Sequence, residues 1–517
     1  MKRFFFIVIP ILTAFVFFSF LSQRDIQNDN KIVVFFDENL NHRSLIKHDI
    51  ANKIKQSGIK ISTGYFNPEE IDHFIISNPE ALYITENQMH SHSFSLKKFD
   101  YLSVMVAVTS TSNELSAISS EEFSKVLKHD AVSDIETLKK IEKNKVPFGI
   151  ISFINLTLNV KPLRVNGTFP TLENIKSGEY ENVYRAYIYM KDNRILDKNH
   201  SLQNELGSWI KKSFSIIAGG DIMLGRGSKR YIDLYGSEYP FYDIRKEIIK
   251  HDIAFANLES PISNKGKKFF PDKGIYFRAD PVVIGGLVFA GFDIFSLANN
   301  HALDWGIDAI TDTMNYLEKC GLQYTGVGST RQEALKPAVF NVGGTNVAFI
   351  CYNDIYPLAL TESGKTIRTL SLNGADLNRE IKPLKEKYDI IIASVHSGKE
   401  YIVKPEIEKI NKMRELIDSG VDVVLGSHPH VVQGVEVYKG GLIAYSLGNL
   451  IFDQNWAKET RMGLLLEISF LGERPVYYIP RVVSIDKSQA KIIENNDSEY
   501  ILSYVNFNKG IPDYDKN

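Results

Sequence analysis

The chain has 517 residues, 44% hydrophobic and 24% charged, with a formal net charge of −2. That length exceeds one ordinary core and predicts two or three domains. The near-neutral balance offers no basic excess for nucleic acid and no acidic tract for a disordered chain. Cys320 and Cys351 are the only cysteines, which excludes a disulfide framework and a CxxC metal pair and predicts two small buried apolar groups.

The N-terminus reads MKRFFFIVIPILTAFVFFSFLS. Lys2 and Arg3 precede an uncharged apolar run of 19 residues, Phe4–Ser22. Such a run can span a bilayer, and the positive flank orients the rest outward. The alternative is a cleaved signal peptide, opposed by Phe20, which stands three positions before the best cut after Ser22. Both readings export the protein, and no nearby cysteine allows a lipid-modified terminus. Residues 1–24 are therefore expected to anchor an extracytoplasmic protein in the membrane.

After a polar spacer, IVVFF, ALYIT and YLSVMVAV predict strands, and LIKHDIANKIKQSG and SSEEFSKVLKH predict helices, the second with a capping pattern. Strands alternating with helices argue for an α/β unit. VPFGIISF followed by LRVNGTFPTLENIKSGEYENVYRAYIYM resembles the second lobe of periplasmic phosphate-binding-type solute receptors, over about 31–193. The Ser/Gly/Thr-rich anion loop of those receptors has no counterpart in DAVSDIETLKKIEKNK. The resemblance therefore implies a receptor-like domain, 31–200, serving ligand binding or partner contact.

A polar linker, 191–205, leads to a second α/β region, 213–487, with a polar tail, 488–517, expected to be peripheral. SIIA, IAFAN, DIFSLA, VAFICY, DIIIASV, VDVVLG and LIAYSLG are short, non-alternating and rich in β-branched residues, as in strands buried on both faces. ITDTMNYLEKCG and IEKINKMRELIDSG between them read as helices ending at glycine.

Ligands collect at the carboxyl ends of strands in open α/β sheets. Those ends carry Asp221, Glu259, Asn300 with His301 and Asp304, His396, and His428 with His430. Singly, each is an ordinary turn or capping residue. Together, four of only 12 histidines meet carboxylates and an amide at five strand ends. Buried charges of this kind call for one or two divalent cations, and an oxygen and imidazole set without thiolate suits Mn, Fe or Zn. In GSHPHVVQG, an extended segment with Pro429 between the imidazoles would point His428 and His430 the same way.

The ordered motifs GGDIMLGR, NLESP, SLANNHALDWG, VHSGKEY, GSHPHVVQGVE and YSLGNLIFDQ resemble the CapA family of poly-γ-glutamate capsule biosynthesis proteins, a branch of the calcineurin-like metallophosphoesterases. The resemblance implies a layered α/β sandwich. In it, Asp221 and His430 would bind one metal, Asn300, His396 and His428 the other, and Glu259 would bridge them. It further implies His301 as general acid or leaving-group stabiliser, oriented by Asp304. Asn449 would order the turn beside the histidine loop. Two residues depart from the pattern: Met223 stands where phosphoesterases place the histidine of D-x-H, and Ser397 where the family usually has tryptophan. Arg226 could pair with an anionic substrate or form a salt bridge on the rim. The expected function is membrane-anchored, metal-dependent hydrolase or transferase chemistry on an anionic polymer such as poly-γ-glutamate. The alternatives are a non-catalytic subunit binding polymer or other capsule-synthesis subunits and, more weakly, a solute receptor with an appended phosphoesterase.

Overall fold

The computed structural model describes residues 31–38, 60–71, 81–85, 97–110, 117–129, 149–152, 160–190, 212–270 and 273–505, with a few single residues between them. The expected membrane segment, the LIKHDIANKIKQSG helix apart from Ile50, and the 191–205 linker lie outside the described residues. Among the described residues no helix is long and apolar enough to cross a membrane.

In the first region the predicted strands form one mixed sheet, ordered Lys60–Phe66, Lys31–Asp37, Leu82–Thr85, Val183–Met190, Lys97–Ser110, Gly149–Ser152. SEEFSKVLKH is helical (Ser120–His129). Its capping box is formed by Ser119 and Glu122: each backbone N–H donates to the other's side chain, at 2.8 and 3.2 Å. Part of this region packs against the second one. Met105, Ala107, Phe123, Ile151 and Tyr180 share a core with Val476, Tyr477 and Ile479, and Arg474 Nη1 donates to Leu156 O at 2.6 Å.

The second region has two sheets face to face with helices outside each, which is why its strands are apolar on both sides. In the first sheet the parallel strands Gln323–Thr325, Ile294–Ser296, Ile253–Leu258 and Ser213–Ile222 continue into antiparallel Met462–Leu471 and Arg474–Asp486. The second contains parallel Thr345–Asn353, Ile390–His396, Val423–Ser427 and Gly441–Ala444. Alternate residues divide between layers. Ile216, Ala218 and Phe255 face Phe349, Cys351, Ile392 and Val423 across the inter-sheet core, where Phe255 and Phe349 stack at 5.8 Å. Ile217, Ala254 and Ala256 instead meet Ile232, Leu287 and Ile310 of outer helices, while Ile391, Ala393 and Val424 meet Ile381, Ile410 and Met413 on the opposite side.

Two expectations need correction. The stretch after Ser484 is not peripheral: Gln489–Ile492 adds an antiparallel strand, and Ile501 and Val505 of the helix Asn496–Val505 are buried in the inter-sheet core. Its apolar residues cluster in Ile492–Ile493 and Tyr500–Val505 between polar runs, so the overall polar composition hid the stripe. Cys351 is buried as expected, but Cys320 is exposed, because it falls at the end of helix Gly306–Lys319.

Two glycines allow turns to approach the strand ends. A Cβ at Gly220 would stand 1.9 Å from Gly448 O, and one at Gly426 would stand 1.8 Å from Tyr445 O. Backbone cannot yield like a side chain, so Gly426→Ala should destabilise the full chain by about 1–3 kcal/mol, measured as a lower urea midpoint.

Candidate metal centre

Parallel strands place their carboxyl ends together, and the two sheets bring two such edges to one point. Asp221 and Glu259 come from the first sheet, Asn300 and His301 from the turn after Ile294–Ser296, and His396, His428 and His430 from the second sheet. All are buried. At the middle is Glu259: its Oε1 lies 3.7 Å from His430 Nε2 and 3.9 Å from both His301 Nε2 and His396 Nε2. Neither Glu259 oxygen, nor His428 Nδ1, has a hydrogen-bond partner among the described residues.

The remaining polar atoms are held outward. Asn257 Nδ2 donates to Asp221 Oδ1 (2.8 Å) and lies 3.3 Å from His396 Nδ1, which is 3.0 Å from Ser427 Oγ. His396 Nε2 lies 2.9 Å from Asn300 Oδ1. His430 Nδ1 lies 3.0 Å from Asn449 Oδ1 and 3.4 Å from Asp221 Oδ2. The His428 N–H donates to Asp221 Oδ2 at 3.2 Å, tying the two sheets together at the centre. Asn449 is itself fixed, donating to Gln454 Oε1 and Thr460 O. In His430 one ring nitrogen is thus engaged with Asn449 and the other faces the centre, as in metal-binding imidazoles, whereas both ring nitrogens of His396 are engaged, Nε2 with the Asn300 amide oxygen.

The histidine turn is not extended. His428 and His430 have φ of +93° and +58°, so left-handed backbone rather than strand alternation brings the two rings to 6.0 Å centroid separation. Such conformations cost about 1–3 kcal/mol each and persist where surrounding structure enforces them.

His301 Nδ1 lies 2.7 Å from Asp304 Oδ2, which also accepts from Phe277 N at 2.7 Å. Lys273, which no motif or periodicity marks in the sequence, donates to Asn300 O and to Asp304 Oδ1 and lies 3.1 Å from His301 Nδ1. Phe277 stacks on His301 at 3.7 Å. Met223 shares a small apolar cluster with Phe277 and Phe452, and Phe452 lies 4.8 Å from the His430 ring. Met223 thus belongs to the packing behind two imidazoles. Arg226 is found on the rim, 3.2 Å from Asp453 and over the Phe277 ring. Ser397 is buried, its carbonyl accepting from Lys409 Nζ at 2.8 Å. Asn257 and Asn299 lie within or beside the quoted motifs but carried no expectation; Asn299 Nδ2 donates to Asn257 Oδ1 and Leu258 O.

Burial sets the charge states. It drops His301 to about 4 against the opposing pull of Asp304, so at neutral pH its Nε2 is an acceptor and can donate only a proton first taken up. Burial also pushes His396 and His428 well below the usual imidazole range. The His428 Nδ1 lone pair is therefore ready for a cation, while His396 Nε2 donates to Asn300 Oδ1 and offers one once that proton moves to Nδ1. Burial opposes charge on His430 too, but Glu259 and Asp221 outweigh it and lift it to about 9. Two orphaned carboxylate oxygens, an orphaned imidazole nitrogen and neutral histidines fit a divalent cation.

Burial also holds the Glu259 carboxyl well above the usual carboxylate range. A metal must therefore displace protons from both His430 and Glu259, and binding between pH 7 and 8 should release about one to two protons, measured by calorimetry in buffers of different ionisation enthalpy. Below a pH of about 9 the affinity should fall by about tenfold per unit or more. Separately, His428→Gly relieves the positive φ and should leave the melting temperature in chelator unchanged or higher, while metal uptake falls about tenfold or more.

Residues 215–454 match the family described as "Bacterial capsule synthesis protein PGA_cap". The chain is 33% identical over 245 residues to "Capsule biosynthesis protein CapA" of Bacillus anthracis, covering 46% of this chain and 60% of that one. It is 29% identical over 249 residues to "PGA biosynthesis protein CapA" of Bacillus subtilis (strain 168), covering 48% and 65%. The match therefore spans less than two thirds of either relative. Among solved structures, a 5'-nucleotidase precursor from Thermus thermophilus aligns with 56% of this chain and 58% of that one at 14% identity and a TM-score of 0.33.

Proposed function

We propose, from the membership of residues 215–454 in the bacterial capsule synthesis family PGA_cap, that this protein acts in the synthesis, export or attachment of an anionic capsule polymer such as poly-γ-glutamate. Its chemistry is that of a metal-dependent hydrolase or transferase on a metallophosphoesterase-like α/β scaffold. One observation carries the reading: the buried Glu259 carboxylate, with both oxygens unpartnered among the described residues, is ringed by three imidazole nitrogens.

Asp221, Glu259, Asn300, His396, His428 and His430 would hold one or two Mn, Fe or Zn ions, the donor set suiting these. Bound there, the metal supplies Lewis-acid polarisation and an activated water. Around it, Asp304 orients His301 with Nε2 facing Glu259, where the imidazole can take and return a proton at the reacting group. Asn257 and Asn449 hold Asp221 and His430. Arg226, if it meets substrate, must share its charge with Asp453. An N-terminal membrane segment at Phe4–Ser22 would keep this chemistry at the outer face of the membrane.

A second reading, a non-catalytic polymer- or partner-binding subunit, is favoured by Met223. It leaves the Asp221–His430 side one ligand short of the phosphoesterase pattern, and it is packed in an apolar cluster.

The test compares the full chain with Asn300→Ala/His428→Ala for metal content and for turnover of a generic phosphodiester and of poly-γ-glutamate. Bound metal that falls about tenfold or more in the variant, with turnover lost in parallel, is the expected result. No bound metal in the parent protein ends the enzyme reading, and metal without turnover supports the binding subunit.

A further inference from the structure

The mouth of the metal centre carries an aromatic pair that the proposed chemistry leaves unused. Tyr401 and Trp456 pack edge to face, with ring centroids 5.8 Å apart, yet stay 42% and 61% exposed, beside Ile402 at 44%. The Tyr401 ring lies 6.1 Å from that of His430. Tyr401 has φ of +65°, a strained conformation for a bulky residue.

The surroundings enforce that conformation. Tyr401 N–H donates to Pro429 O at 2.8 Å, within the turn between His428 and His430, and Gln454 Nε2 donates to the Tyr401 hydroxyl at 3.4 Å. The turn that presents two imidazoles inward therefore also fixes this ring at the rim. Folding gains little from a strained aromatic pair left in water. Strain of ~1–3 kcal/mol gathers at ligand clamps, and exposed apolar surface rimmed by polar groups marks binding sites.

Charge narrows the ligand. Glu400, the preceding residue, acts on the Tyr401 hydroxyl, so the rim carries a carboxylate beside the aromatic pair. Arg226, a cation that also acts on this ring, is committed to Asp453 and lies over Phe277. A carboxylate-rich chain would meet repulsion from Glu400. A neutral hexose would not: its C–H face can lie on an aromatic face, while its hydroxyls can pair with Glu400 and the Tyr401 hydroxyl. Aromatic side chains with a polar tip suit such half-wet contacts.

We propose that Tyr401 and Trp456 form a subsite for a neutral sugar ring, placing the glycan part of a substrate or acceptor beside the metal centre. Binding there needs no metal; only its use as the acceptor of a transfer rests on the function proposed above.

The experiment titrates the metal-free full chain with the β-1,4-linked tetramer of N-acetylglucosamine, and in parallel with poly-γ-glutamate of matched length. Tryptophan emission and calorimetric heat are followed in each case. The expected result is saturable binding of the sugar, weakened at least about threefold by Tyr401→Ala and by Trp456→Ala. Trp456 is exposed, and far-UV circular dichroism checks that its removal leaves the fold intact; Trp456→Phe, which keeps an aromatic face, should retain the heat while losing the emission change. No sugar binding at millimolar concentration, unchanged affinity in Trp456→Ala, or a response to poly-γ-glutamate alone overturns the proposal. Because metal is omitted, failure of the metal centre would leave each of these outcomes readable.

Discussion

Glu259 is a fully buried carboxylate with no hydrogen-bond donor for either oxygen among the described residues, and imidazole nitrogens stand 3.7 and 3.9 Å away. Left alone, such a group is among the most costly a protein can bury. Its neighbours are arranged as though that cost were offset by a cation. His430 turns one nitrogen to Asn449 and the other inward, His396 Nε2 meets the Asn300 amide oxygen, and burial keeps His396 and His428 neutral. The two-sheet architecture serves the same end. Only where the carboxyl edges of both sheets meet can Asp221 accept from both Asn257 of its own sheet and the His428 backbone of the other.

Bringing these groups so close strains the backbone, and the strain is local. Arg226, Tyr401, His428 and His430 are all non-glycine residues with positive φ in or beside this centre. The supports are correspondingly rigid. Gly220 and Gly426 admit backbone carbonyls where any side chain would collide. Met223, Phe277 and Phe452 pack behind His301 and His430. Met223 contributes packing and no nitrogen donor, and the Asp221 side of the centre takes its geometry from His430 and Asn449.

Much of the centre was legible in the chain because buried parallel strands leave few places for polar side chains. A carboxylate or imidazole directly after an apolar run is therefore conspicuous, as at Asp221, Glu259, His396 and His428. Residues that reach the centre from other directions were not legible. Lys273 comes from a loop with no periodicity, and Asn257 is an interior strand residue that looks like any buried amide until Asp221 and His396 are placed beside it. Arg226 shows the limit in another way: the sequence allowed either a substrate contact or a rim salt bridge, and only the placement of Asp453 forms the salt bridge. The polar tail concealed Ile501 and Val505, because one short apolar cluster inside a polar stretch does not show which side is covered before its partners are known.

By itself, then, the sequence determined the α/β alternation, the strands buried on both faces and the identity of the chemistry-bearing residues at their ends. Each of these is set by local pattern and composition. Tertiary structure decided which of those residues meet, at what distance, and in which charge state. It also decided that the GSHPHVVQG turn is left-handed at both histidines, where local pattern favoured an extended segment. The physical reason is that contacts between sheets are made by residues up to 207 positions apart, as between His428 and Asp221. No local propensity encodes such a distance, and the backbone strain it imposes is visible only once the contact exists.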